Sequence, residues 1–368
     1  MPGEPAPGFV QRSTSSERYH FDTVGGRYIV LAFFGTAAAP EFARVLELLL
    51  SERAIFDDAN LSFFGVSNDP NDELHARLKP SYPGIRFFWD FDGAIARLYG
   101  SSPVEDTAGE LARKHRLLWF IIDPMLRILS VIPFQADGGD LQEMREALER
   151  LPAVNRFTGT ELQPPVLYLP RVLEPELCAE LIAYYEREGG EDSGFMRQQD
   201  GKTVMAIDYE HKRRMDRVLE NEHLRQLLWD RFERKIFPEI KKAFQFSATR
   251  MERFLVACYE SSQQAHFLPH RDNTTAGTAH RRFAVSVNLN DEFTGGELHF
   301  PEYSQKRYKP PVGCAVVFSC SILHCVDPMV TGRRFAFLPF LYDEAAVEVR
   351  LANNAYLAPG VPVYEPKS

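Results

Sequence analysis

Near residue 160 the hydrophobic pattern of this chain changes character, and that change decides what it can fold into. On the N-terminal side, apolar runs too continuous for a half-buried strand are separated by segments of helical period. RYIVLAFFG (residues 27–35) and LSFFGVS (residues 61–67) read as strands buried on both faces. Between them, EFARVLELLLSERAIF sets Phe42, Val45, Leu46, Leu49 and Leu50 at helical spacing. NDPNDELHARL turns into a second helix, and WFIIDPMLRILSVIPF supplies two strands around a turn at Asp123-Pro124. DLQEMREALERL closes the half with an amphipathic helix. Buried strands alternating with helices predict an α/β sheet, covered on its faces, over residues 5–152.

LPAVNRFTGTELQPP then lapses into turn residues, which predicts a linker over residues 153–165. Beyond it come two helical stretches, LEPELCAELIAYYER and residues 223–244. From Arg253 the chain is short strands broken by Gly, Pro and Asn: RFLVACY, FAVSVNLN, GELHFPEY, GCAVVFS and RRFAFLPFLY. That pattern predicts a jelly roll with helices packed outside it, over residues 166–346, followed by a tail at 347–368.

A net charge of −9 and a pI near 5.7 argue against nucleic acid or an anionic membrane as the partner, since both need a basic footprint. The five cysteines, Cys178, Cys258, Cys314, Cys320 and Cys325, are odd in number and leave the first 177 residues bare. They make no disulfide framework and point to a reducing compartment. MPGEPAPGF lacks a charged stretch leading into an apolar run, and no apolar stretch approaches membrane-spanning length. A cytoplasmic protein is the expectation.

The residues that carry chemistry lie in HFLPHRDNTTAGTAHRRFAVSVNLNDEFTGGELHFPEYSQKRYKPPVGCAVVFSCSILHCVDPMVTGRRFAFLPFLY. His270 and Asp272 are two apart, so in an extended segment both leave the same face. His324 follows about fifty residues later, where a jelly roll folds a distant strand back beside the first. Two imidazoles and one carboxylate bind one face of Fe(II) and leave positions open. The bland alternative, a surface histidine beside a loop aspartate, holds for HxD alone and yields to the context. GGEL (residues 295–298), PPVGCAVVF, and Arg334 ten residues after His324 follow in order.

With ACYESSQQAHFLPHRDN ahead of them, residues 165–344 resemble the prolyl 4-hydroxylase-like branch of the 2-oxoglutarate/Fe(II) oxygenases. The resemblance implies a double-stranded β-helix holding Fe(II) on His270, Asp272 and His324, with 2-oxoglutarate and O2 as co-substrates and ascorbate as an accessory reductant. It assigns Arg334 to the distal carboxylate of 2-oxoglutarate, and Tyr259 to the same pocket. The flanks Phe335, Phe337 and Leu338 read as a buried strand, Arg333 points to the opposite face and is taken as the exposed one, and the resemblance favours Arg334 as the carboxylate anchor. Where the family often has Tyr and Thr, this chain has Asn288 and Ala284, so Asn288, or Ser286, is expected to donate to the co-substrate instead. His266 and His280 lack a carboxylate two residues on and are expected in loops near the mouth.

PAPGF, GRYIVLAFF, GVSNDP and IIDPMLRILSV resemble the thioredoxin fold, and more closely the peroxiredoxins, over residues 5–152. The loop that bears the reactive cysteine in those proteins reads GTAAAPEF, with Ala37, Ala38 and Ala39 ahead of a retained Pro40. Thiol peroxidase chemistry from this half is therefore excluded. What remains is docking, substrate capture or a homodimer contact.

The implied reaction is hydroxylation of a C–H bond with release of succinate and CO2, on a prolyl residue of a protein or peptide. A small-molecule hydroxylase is the alternative substrate reading. A non-catalytic scaffold that binds a redox partner, and a cupin-type metalloenzyme without 2-oxoglutarate, are the competing classes. The intact triad and Arg334 speak against the first, and Arg334 with the HxD spacing against the second.

Overall fold

The computed structural model describes residues 1–102 and 116–365, so residues 103–115 of the expected first domain and the last three of the expected tail lie outside it. Two compact units result, residues 1–163 with 301–305, and residues 164–300 with 306–368.

The N-terminal unit has the thioredoxin fold, built on β1 (Tyr28–Gly35), β2 (Leu61–Ser67), β3 (Ile85–Trp89), β4 (Leu118–Ile122) and β5 (Ile128–Pro133), in the order β3-β2-β1-β4-β5. The first two pairings are parallel and the last two antiparallel. Side chains alternate across the sheet, so every second residue of β1 serves a different core. Val30, Ala32 and Phe34 meet Phe42, Val45 and Leu48 of α1 (Phe42–Ser51), together with Leu141 and Met144 of α2 (Gly139–Glu149). Ile29, Leu31 and Phe33 meet Phe64, Phe88, Ile95 and Tyr99 on the other face. That two-sided burial is why the run lacks alternation.

Asp140 stitches these layers together. Its fully buried carboxylate accepts from Arg44 at 2.8 Å, the Trp119 indole at 2.9 Å and the Gln135 amide at 3.0 Å. Asp140→Ala leaves an arginine, an indole and an amide without their acceptor, and should cost this unit about 2–4 kcal/mol. Guanidinium unfolding followed by tryptophan fluorescence measures it; a midpoint unchanged from wild type would refute the role.

The C-terminal unit is a jelly roll of two facing sheets. The larger contains β6 (Met215–Val218), β7 (Leu255–Glu260), β9 (Phe283–Asn288), β12 (Ala315–Ser319), β14 (Met329–Phe337) and β15 (Phe340–Tyr342). The smaller includes β8 (His266–His270), β10 (Leu298–His299), β11 (Arg307–Tyr308) and β13 (His324–Val326). Outside the larger sheet pack α3 (Pro175–Glu188) and α4 (Glu222–Lys235), burying Leu181, Leu228 and Phe232 against Val256, Val285 and Phe337.

Three local features depart from the sequence expectations. Leu151, Val154 and Phe157, at and just beyond the expected linker boundary, pack on the N-terminal core, because turn-rich composition does not stop apolar side chains from docking. The expected tail is not a loose end: a helix spans Glu344–Ala352, and Asn353 donates to the Ala276 carbonyl at 2.7 Å. An unforeseen hairpin pairs Phe195–Gln199 with Lys202–Ala206. Its signal was Asp200-Gly201, both at positive φ (48° and 76°), the tight-turn dipeptide of two-residue hairpins.

Candidate metal and co-substrate site

The register of β8 against β13 sets His270 directly opposite His324. Asp272 follows two residues after His270, its amide held by the Cys320 carbonyl at 2.9 Å. Ligand atoms of His270, Asp272 and His324 all lie within 4.8 Å of one another. Each ring has a fixed tautomer. His270 Nδ1 donates to the Leu268 carbonyl at 2.7 Å and His324 Nδ1 to the Ile322 carbonyl at 3.0 Å, since a carbonyl only accepts. Both Nε2 lone pairs then face the Asp272 carboxylate, at 3.6 and 3.3 Å. Burial, and after it His324, hold the His270 pKa well below the ordinary histidine range. Two lone pairs aimed at a carboxylate repel unless a cation sits among them. This donor set, with imidazole tautomers fixed by backbone carbonyls, fits a divalent transition metal.

β7 and β14 pair so that Tyr259 lies opposite Arg334. Arg334 is buried at 2% exposure and donates to Asn288 Oδ1 at 3.1 Å, the Gly296 carbonyl at 2.9 Å and Ser286 Oγ at 2.9 Å. Asn288 spends its own amide on the Pro310 carbonyl at 2.8 Å, so it braces the guanidinium. Among the described residues no carboxylate lies within ion-pair distance of Arg334. A buried guanidinium without a counter-anion is costly, and the cost falls when an anionic ligand arrives. Arg333 leaves the opposite face and pairs with Glu186 at 2.6 Å, its side chain 44% exposed. His270, Asp272, His324, Tyr259, Ser286 and Arg334 line one cavity between the sheets.

His211 lies beside the site, its ring centroid 6.5 Å from that of His270, whereas the two histidines singled out in the sequence have other partners. His266 is not in a loop but opens β8, and its ring bonds the Gln264 and Glu210 carbonyls. His280 lies in a turn, as expected, but is buried rather than at the mouth, 3.1 Å from Glu252, on which Arg281 and Arg350 also converge. A second grouping of metal-binding types, His299, Cys325 and Asp327, already has the Arg307 guanidinium on Asp327, where a metal cation would be repelled. All five cysteines are buried and unpaired, and burial pushes the Cys325 thiol up to about 12.

Residues 254–342 match the family described as the 2OG-Fe(II) oxygenase superfamily, and residues 2–128 match the AhpC/TSA family. The C-terminal unit carries a 2OG-Fe(II) oxygenase domain. The chain is thus a 2-oxoglutarate-dependent dioxygenase with an AhpC/TSA domain ahead of it. Among solved structures, the oxygenase region is similar to a Pseudomonas putida prolyl-4-hydroxylase, at 17% identity over 50% of this chain and 94% of that one, TM-score 0.39. A Trichoplax adhaerens prolyl hydroxylase in complex with a hypoxia inducible factor oxygen degradation domain peptide matches at 15% identity, over 57% and 96%, TM-score 0.38. A mutant of Xanthomonas campestris peroxiredoxin Q matches at 16% identity, over 38% and 89%, TM-score 0.31. No curated protein matches this dioxygenase. Among its described residues no helix is long and apolar enough to cross a membrane.

In the AhpC/TSA domain the alanine run forms the turn before α1. The Ala37 amide donates to the fully buried Asp72 carboxylate at 2.8 Å, and Thr36 Oγ1 donates to Asp69 at 2.8 Å.

Proposed function

We propose that His270, Asp272 and His324 hold Fe(II), that Arg334 with Ser286 and Tyr259 seats 2-oxoglutarate, and that the product is a hydroxylated prolyl residue or a related small molecule. The observation that carries this reading is the pair of Nε2 atoms aimed at Asp272, in one cavity with an arginine that lacks a carboxylate partner. Bound Fe(II) would supply O2 activation coupled to decarboxylation, so that one oxygen atom enters succinate and the other the substrate C–H bond. The chain's own residues do the rest. Backbone carbonyls lock both imidazoles. Arg334 offers a planar fork that fits a carboxylate. Phe318, stacked edge-on against His324 at 4.6 Å, and Phe267, stacked on His270 at 3.4 Å, exclude water from the ligands. Ascorbate is the expected accessory reductant. The five buried thiols favour a reducing, cytoplasmic setting. The AhpC/TSA domain serves contact, with substrate or a second copy of the chain.

Anaerobic addition of Fe(II) and then 2-oxoglutarate should produce a new visible absorption band, and air should release succinate even without substrate. A protein that binds neither, or that oxidises substrate without consuming 2-oxoglutarate, would overturn the proposal.

A further inference from the structure

The oxygenase cavity has a second cationic wall that neither metal binding nor Arg334 explains. Arg214 on the chain entering β6 is 6% exposed and grips Asp216 with two nitrogens, both at 2.7 Å. It also donates to Ser193 at 3.1 Å and the Tyr259 hydroxyl at 3.3 Å, which occupies most of its donors. Arg253 reaches the same carboxylate with one nitrogen at 3.1 Å. Lys212, 3% exposed, adds donors to Ser193 at 2.7 Å and the Gly194 carbonyl at 2.6 Å. One carboxylate therefore serves two guanidiniums, while burial, and after it Arg214, hold Lys212 behind them well below the ordinary lysine range, so the excess charge rests on the arginines. Burial first, and Arg214 second, lower the Arg253 guanidinium to about 10, so it stays charged at neutral pH.

Arg253 differs from its neighbours in two ways. Its side chain keeps 29% exposure, so it reaches the cavity with donors to spare. Its backbone is left-handed at φ 65°, a conformation that costs a non-glycine residue roughly 1–3 kcal/mol and collects at functional positions. The guanidinium sits 5.5 Å from the Phe340 ring, and Leu338, Pro339 and Phe318 complete an apolar wall. Excess positive charge beside apolar walls concentrates anions, because low dielectric strengthens the field.

We propose that Arg253, backed by Arg214, receives a carboxylate of the substrate, so that the oxygenase acts on an acid: a free carboxylic acid or a peptide with an acidic side chain beside the reacting residue. This rests on the 2-oxoglutarate reading above, with Arg334 holding the co-substrate and Arg253 the substrate. The apolar wall takes the C–H-bearing part, and the guanidinium fork fixes its distance from the metal ligands.

Calorimetric titration of the full chain, loaded anaerobically with Fe(II) and 2-oxoglutarate, tests it with two matched pairs that differ in charge alone. Cyclopentanecarboxylate against cyclopentanecarboxamide represents the free acid; acetyl-prolyl-aspartate amide against its asparagine twin represents the peptide. At least one carboxylate should bind tenfold or more tighter than its neutral twin, and R253Q should abolish that preference while R253K keeps part of it. No preference in either pair overturns the proposal, as does a preference that survives R253Q. So does an R253Q protein whose 2-oxoglutarate affinity collapses, since Arg253 would then belong to the co-substrate. Should R253Q fail to fold, the wild-type comparison decides alone. A wild-type protein that never binds 2-oxoglutarate is a different result, which sinks the oxygenase reading instead.

Discussion

Asp272→Ala removes the one anionic donor of the triad, and 2-oxoglutarate turnover should fall by well over a hundredfold. Losing a residue that merely supports a metal ligand costs roughly 10–100-fold, so losing a ligand must cost more. The charge argument points the same way. The carboxylate neutralises half of a divalent cation, and two neutral imidazoles cannot replace it. The fold should persist, because the backbone amide of residue 272 bonds the Cys320 carbonyl whatever the side chain. Anaerobic Fe(II) titration should show weakened binding alongside the lost succinate. Full activity in the variant would mean that the metal, if any, is held elsewhere.

Arg334→Gln should weaken 2-oxoglutarate by about 3 kcal/mol, roughly a hundredfold, while Arg333→Ala stays within about twofold. The two arginines are neighbours in sequence but face opposite sides of β14. One is buried with no carboxylate in reach, the other is an exposed partner of Glu186. A surface pair of that kind contributes little. Glutamine shortens the side chain and removes the charge, whereas Arg334→Lys keeps the charge and loses the fork. An intermediate affinity for the lysine variant would separate charge from geometry. Equal losses at 333 and 334 would mean that the strand presents its other face to the co-substrate.

The sequence made the strand faces legible because period two is a local property. It put Arg333 and Arg334 on opposite faces and His270 and Asp272 together, but Phe335 and Phe337 share the face of Arg333, so the choice of Arg334 came from the resemblance. It did not reveal the second cationic wall. EHKRRMDR reads as a charge run, and such runs are ordinarily solvated faces. Only the antiparallel pairing of β6 with β7, Asp216 opposite Ala257, turns Arg214 inward beside Tyr259. His280 was misjudged for a similar reason. Its partner Glu252 is 28 residues earlier in the chain, and no spacing rule links them. Asn288 also braces Arg334 through its Oδ1, with one amide hydrogen on Pro310, a partner 22 residues on that only the folded chain brings near.

The alanine run bears on reversibility. In the AhpC/TSA domain the turn before α1 is held by Asp72, whose carboxylate accepts from the Ala37 amide, Thr36 and Ser67. The nearby cation, Arg77, is already engaged with that carboxylate and with Asp69. A cysteine grafted into the turn would meet acidic groups where a peroxidase needs positive potential, and its thiol would be held protonated. A peroxidase built on this turn would thus need at least two coordinated changes, and the first alone would confer nothing.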